Sequence, residues 1–194
     1  MSGIIGSKLN IRGSGLVAKL GTDGQLFTSS GAGVSQAFEA AAAGGLYESV
    51  AIIWDEKSTG TAGGTFTSGA WRTRDLNTES DPDSIVTLSS NQFTLSAGTY
   101  TIEWTAPSYN VDNVAHQLYN IDTSTVIATG QSVRNYGNYA SGTNDGFAIT
   151  TIATGTDTYE IQGNCYSTVS TYGFGKHGNG AVEVYTIVMI HKHA

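Results

Sequence analysis

From residue 46 onward the chain alternates apolar and polar positions in short runs, with Gly, Asn, Asp and Ser in the gaps between them. That period of two predicts strands, and the recurrent turn residues predict a sandwich or barrel. Strands are expected over residues 49–54, 64–74, 84–88, 92–95, 98–106, 116–122, 125–129, 145–153, 156–165 and 181–191. Pro82 and Pro107 fall at the ends of predicted strands, where a missing N–H breaks no ladder.

Two runs depart from simple alternation. In AVEVYTIVMI (181–190), one face presents Glu183, Tyr185, Ile187 and Met189, and the other Val182, Val184, Thr186, Val188 and Ile190. Both faces are mostly apolar, and SVAIIWD (49–55), with Ile52 and Trp54, behaves similarly. A strand exposed on one side keeps polar residues there, so these two strands are predicted to be covered on both sides. One two-layer sandwich covers only one face of each sheet, and the second face calls for further copies of the chain. Ile52, Trp54, Tyr185, Ile187 and Met189 are therefore the candidate residues of a core or a subunit interface.

Residues 1–45 have a different texture. They are rich in Gly, Ser and Ala, contain no Trp or Tyr, and carry Lys8, Arg12 and Lys19 against Asp23 and Glu39. Their apolar residues are too sparse for a core of their own but sufficient to dock on a partner, with Leu16, Val17, Leu20 and Phe27 as the anchoring candidates. A helix is expected at 35–43, with Ser35 as N-cap and Gly44-Gly45 as its stop. The boundary places an arm at 1–45 and the β domain at 46–194.

Composition narrows the function. Charged residues make up 13% of the chain, about half the usual share, and its 25 glycines suit turn-rich β structure. A net charge of −7 argues against nucleic acid, whose phosphates call for clustered Lys and Arg. One cysteine, Cys165, excludes an intrachain disulfide framework, so folding in a reducing cytoplasm is expected. The first fifteen residues lack the apolar stretch of a signal peptide, and no run approaches the roughly 20 apolar residues of a membrane helix, so membrane insertion is not expected.

Several segments carry a resemblance. FTLSAGTYTI (93–102), APSY (106–109), HQLYN (116–120), TVIATG (125–130) and the closing VYTIVMIHK (184–192) are similar to the C1q/TNF-like domains of phage and prophage fibre proteins, over about residues 64–192. GTDGQLFTSSGAG (21–33) resembles the GxxGQxLTSxGxG module of phage structural proteins, with Phe27 where an aliphatic residue is more usual. The resemblance implies an all-β C1q/TNF-like antiparallel jelly-roll sandwich, trimeric and preceded by an extended Gly-rich arm. It further implies a virion protein made in the host cytoplasm, in which the arm contacts other virion proteins.

Little in the sequence supports catalysis, and no cofactor is expected. GSGLVA (13–18) fits a loose dinucleotide pattern but follows no strand and opens no helix. No GxSxG, GxxxxGK or HExxH occurs, and no paired acids stand out for glycosidase work. Asp75, Asn77, Glu79, Asp81 and Asp83 alternate like calcium ligands. Ser80, however, replaces the required Gly and Val86 the bidentate acid, so a solvated acidic loop balanced by Arg72 and Arg74 is expected. His191 and His193 are read as an exposed tail, though three copies near a trimer axis could hold a metal. His116 and Cys165 are read as core residues.

Two stretches rich in Tyr, Asn, Ser and Gly, 135–146 and 166–179, read as long loops. Tyr136, Tyr139 and Tyr172 in them are the candidate contacts to a glycan or protein on a host surface. Three readings remain open: a fibre component that attaches to a host, a decoration or adaptor protein with a mechanical role, and a lectin-like protein.

Overall fold

The computed structural model describes residues 25–28, 37–40 and 45–194, apart from 136, 138, 139 and 179. Two compact units divide the chain, Met1–Gly45 and Leu46–Ala194. In the first, β1 (Gln25–Thr28) pairs antiparallel with β2 (Ala37–Ala40), placing Phe27 opposite Phe38. β2 lies within the segment expected to be helical. A nine-residue helix is marginal in water, whereas pairing with β1 supplies the same segment with a ladder of backbone hydrogen bonds. Leu16, Val17, Leu20 and the 13–18 motif lie outside the described residues, and of Phe27 only the strand position is described.

The second unit is a sandwich of two antiparallel sheets, and no helix occurs among the described residues. One sheet contains β3 (Tyr47–Ser58), β5 (Thr78–Ser80), β8 (Gly98–Tyr109), β11 (Ser141–Ile152) and β13 (Val182–His193), in the order β11-β8-β13-β3-β5. The other contains β4 (Arg72–Thr73), β6 (Val86–Ser89), β7 (Gln92–Leu95), β9 (Asp112–Asn120), β10 (Thr125–Asn135) and β12 (Thr158–Cys165). It runs β10-β9-β12-β7-β6, with β4 also on β12. Ile53, Ile102, Val188 and Ile190 from the first sheet bury against Phe93, Leu95, Leu118 and Ile161 from the second. Each such side chain contributes about 1.5–3 kcal/mol by leaving water.

Several strand boundaries differ from expectation. Residues 64–74 form one isolated bridge, Phe66 to Val169, and the two-residue β4. Pro107 lies inside β8, opposite Thr143. It is tolerated there because β13 pairs β8 only over Tyr100 to Thr105, so beyond Thr105 the chain is an edge on that side. The presumed loop at 135–146 is mostly strand, since β10 reaches Asn135 and β11 begins at Ser141.

A bulge sets the faces of β13. Val184 pairs with Glu56 and Ile187 with Trp54, so Tyr185 and Thr186 together oppose the single residue Asp55. Both are buried. Strict alternation puts Tyr185 with Ile187 and Met189, and the extra residue corrects this: Tyr185 faces the core while Ile187 and Met189 face outward. The Tyr185 hydroxyl donates to Thr61 O at 2.7 Å, and burial pushes it up to about 12.

Arg74 joins the layers. The side chain is 1% exposed; its Nε donates to Thr186 Oγ1 at 2.9 Å, and its Nη2 to Pro107 O at 3.0 Å and Phe174 O at 2.9 Å. The guanidinium stacks 4.1 Å from the Phe174 ring centroid, while the backbone N–H of Arg74 bonds Ile161 O and so continues the β4–β12 ladder of the six-stranded sheet. Burial, opposed by Asp55 and Asp75, lowers it to about 9, which leaves it charged at neutral pH. Arg74 is thus no surface counterion of the acidic loop; Lys57 fills that role, 3.1 Å from Asp55 and 2.9 Å from Asp75.

Two substitutions test this packing. A Cβ at Gly146 would stand 2.0 Å from Trp104 Cζ2, so Gly146→Ala should lower stability by about 1–3 kcal/mol, read as a lower urea midpoint at unchanged slope. Arg74→Lys keeps a buried charge but loses the planar fork, and should cost on the order of 3 kcal/mol. Arg74→Met, which removes the charge, should unfold at a higher temperature than Arg74→Lys.

Candidate functional site

The outer face of the five-stranded sheet is built from every second residue of four strands. Register lines up Phe147, Glu103, Met189 and Ile52 across β11, β8, β13 and β3. The row on one side reads Ile149, Thr101, His191 and Val50, and the row on the other Asp145, Thr105, Ile187 and Trp54. Phe147 is 72% exposed, Ile149 67% and Met189 36%, while Ile52, Trp54 and Ile187 are half-buried by their neighbours. Val184, beyond the bulge, extends the apolar surface along β13. A groove of about 750 Å³ runs from Met189 and Phe147 to Gly130 and Gln131 at the edge of this face.

The opposite outer face has another character. Gln117 Nε2 donates to Gln162 Oε1 at 2.7 Å, Gln162 Nε2 to Glu160 Oε1 at 2.6 Å, and Gln92 Nε2 and Thr73 Oγ1 to Glu160 Oε2. This is a polar ladder whose members satisfy one another, Gln117 and Glu160 being covered by their neighbours. The contrast singles out the first face as the one that calls for a partner, since a contiguous apolar patch on a free surface marks an interaction site.

The sequence candidates are thus divided. Ile52, Trp54, Ile187 and Met189 come together on the apolar face, whereas Tyr185 lies in the core. Sequence reasoning missed Phe147 and Ile149, the most exposed apolar residues of that face. Their signal is in NDGFAITTI (144–152), where they alternate against the buried Asn144, Ala148 and Ile152. Tyr136 and Tyr139 lie outside the described residues. Tyr172 is half-buried, edge-on to Tyr109 with ring centroids 6.2 Å apart, and Lys176 Nζ lies 5.8 Å from its ring centroid.

The remaining candidates are structural. Asp81 caps a turn through the backbone N–H groups of Ile85 and Val86, and Asn77 Nδ2 donates to Asp55 Oδ1, so the alternating acids converge on no common point. Among the described residues no three His, Cys, Asp or Glu side chains gather as a metal set. His191 and His193 are not a free tail: both lie in β13 beside the Tyr47 ring, and His193 Nε2 is 2.8 Å from Thr101 Oγ1. His116 is fully buried, and burial together with the charge of Arg74 holds it well below the usual imidazole range, hence neutral. Burial pushes the Cys165 thiol up to about 11, far from a reactive thiolate.

No family model matches the chain, and no curated protein matches it in sequence. Solved structures are similar in fold. Murine APRIL at pH 5.0 gives a TM-score of 0.50 at 8% identity, over 74% of this chain and 98% of that one. Eiger TNF from S. frugiperda gives 0.48 at 11% identity, over 75% and 92%, and the globular domain of zebrafish complement 1qA protein 0.45 at 15%, over 74% and 95%. The two antiparallel sheets, their strand order and the likeness to APRIL identify residues 46–194 as an all-β C1q/TNF-like jelly-roll sandwich.

Proposed function

We propose that this chain is a homotrimeric structural and binding component of a virion, of the phage fibre type, that packs on itself through the outer face of the five-stranded sheet. The observation that carries the reading is the set of exposed apolar side chains on this face, Phe147, Ile149, Val184 and Met189, with the half-buried Ile52 and Ile187 beside them and Glu103 the charged residue among them. A second copy would remove these side chains from water at about 25 cal/mol per Å² of apolar surface. The trimeric stoichiometry and the virion setting follow the sequence resemblance at 93–130 and 184–192 and the module at 21–33. In this reading the protein is made in the host cytoplasm, and the arm, through Leu16, Val17, Leu20 and Phe27, holds the chain to other virion proteins. The jelly-roll then projects outward, where Tyr136, Tyr139 and Tyr172 are the proposed contacts to a host surface.

One observation favours a second reading, a capsid decoration or adaptor protein with a purely mechanical role. Tyr172 is packed against Tyr109 and beneath Lys176 rather than presented to solvent, so its ring serves the loop's own order.

Light scattering of the purified chain should give three times the chain mass, and a persistent monomer at micromolar concentration would overturn the assembly reading. Met189→Asp should yield a folded, somewhat less stable monomer, because the residue is exposed within one chain, where the new carboxylate meets only the cross-strand repulsion of Glu103, and becomes far costlier once covered. Its circular dichroism should match that of the native chain while the trimer is lost. A chain beginning at Leu46 should remain folded and trimeric but fail to join particles in a reconstitution assay; incorporation without the arm would remove its anchoring role.

A further inference from the structure

A second groove, of about 700 Å³, lies on the other outer face, at the end of the six-stranded sheet. Ala115 of β9 lines it, as do the side chains of Trp71 and Tyr166. Both rings are held out of the core, Trp71 being 39% and Tyr166 71% exposed. Neither is needed for the sandwich, so the fold leaves two large aromatic surfaces in water beside one concavity.

The backbone that carries them is fixed in advance. Tyr166 N–H donates to Asn113 O at 2.9 Å. The segment leading to Trp71 is pinned by the reciprocal bonds of Phe66 and Val169, by Ser68 N–H to Thr168 Oγ1 at 2.9 Å, and by Arg72 Nε to Thr67 O at 3.2 Å. A ligand therefore meets a preformed site with little ordering cost.

The polar lining points to one class of ligand. Asn113, Asn164 and Ser132 line the groove, and their side chains make no hydrogen bond within the described residues. Amides and a hydroxyl offer both donors and acceptors, as alcohols require. Arg134, the one cationic side chain in the lining, is paired with Asp112 at 3.0 Å, which offsets part of its charge. With a chain charge of −7, that pairing disfavours an anionic ligand. A protein partner would seek a broader apolar patch, whereas beyond this groove the face continues as the Gln117–Gln162–Glu160 ladder. Aromatic faces beside uncharged amides match a sugar, whose ring carries C–H groups on its faces and hydroxyls around its edge.

We propose that this groove binds a neutral oligosaccharide, Trp71 and Tyr166 stacking on sugar rings while Asn113 and Asn164 hydrogen-bond the hydroxyls. The site lies within one chain and on the sheet opposite the assembly face, so it stands independently of the trimer and of the virion setting.

The three tryptophans give a direct readout in the ¹⁵N-labelled full chain. The Trp54 indole N–H is bonded to Glu56 and that of Trp104 is buried, whereas Trp71 lines the groove. Maltotriose, triacetylchitotriose, mannotriose and N-acetyllactosamine, each titrated to about 10 mM to fill a site of millimolar affinity, are the probes. At least one should shift the Trp71 indole signal and leave the other two in place. Read from the backbone amide shifts of Asn113, Ala115 and Asn164, which also line the groove, Trp71→Ala and Tyr166→Ala should each weaken that binding by about tenfold or more, with the Trp54 and Trp104 signals unchanged as proof of an intact fold. The proposal is overturned if no sugar moves Trp71, if binding survives both substitutions, or if the shifts fall on Trp54 or Trp104. It is equally overturned if a peptide library shifts Trp71 where the sugars do not. Light scattering on the same samples reports separately on the assembly.

Discussion

A two-layer sandwich hides one face of each sheet and leaves the other to be dealt with by chemistry, and this constraint governs the molecule. The six-stranded sheet meets it with hydrogen bonds, running from Gln117 through Gln162 to Glu160 and on to Gln92 and Thr73. The five-stranded sheet meets it only in part within one chain, because Phe147, Ile149 and Met189 remain in water among Glu103, Thr101 and His191. Two sheets of one domain thus differ in what they present to their surroundings, and that asymmetry gives the domain one outer face with exposed apolar side chains and one lined by hydrogen-bonded polar groups.

The apolar side depends on an irregularity. At Tyr185 and Thr186 the closing strand spends two residues against Asp55, which turns Tyr185 and Thr186 both inward. Thr186 then meets Arg74 and Tyr185 meets the carbonyl of Thr61, so the bulge anchors the segments at 61 and 74 to the sheet. Without the extra residue, Ile187 and Met189 would face the core and Val188 and Ile190 would face water. The polar interior around Arg74 and the apolar exterior around Met189 are consequences of the same inserted residue.

The sequence announced most strands, because turn residues and period-two alternation are local signals, and residues 92–95 are placed as the pattern predicts. The two-sided apolar character of the closing strand was also legible. The bulge was not, since its cause is the pairing with Asp55 and nothing in VEVYTIVMI marks where a residue is spent. Arg74 was misplaced for a related reason: in RTRDL it sits beside an acid, and only the fold draws its guanidinium under Phe174. Pattern alone put the 135–146 stretch in a loop because its Gly, Asn and Ser residues mimic turns, yet Gly142 and Gly146 lie in a strand; at Gly146 only a glycine leaves room for the Trp104 ring. Trp71 escaped notice because it sits in what reads as a strand, and Tyr166 as the first residue of a loop. Neither position reveals from sequence that both line one groove.

The place of β13 in the five-stranded sheet has a consequence for biosynthesis. It stands between β3, the earliest strand of the domain, and β8, so the middle of that sheet is the last strand of the domain to be translated. While residues 182–193 are still inside the ribosome, β3 and β8 have unpaired edges and the inner layer cannot close. Contacts so distant in sequence make for slow folding, and at 5–20 residues per second the wait is long by comparison with local collapse. The nascent chain therefore presents sticky strand edges for most of the domain's emergence, and the domain closes only when its final strand has left the ribosome. Any self-association through the outer face must follow it, which keeps unfinished chains from joining one another by the surface that finished ones present.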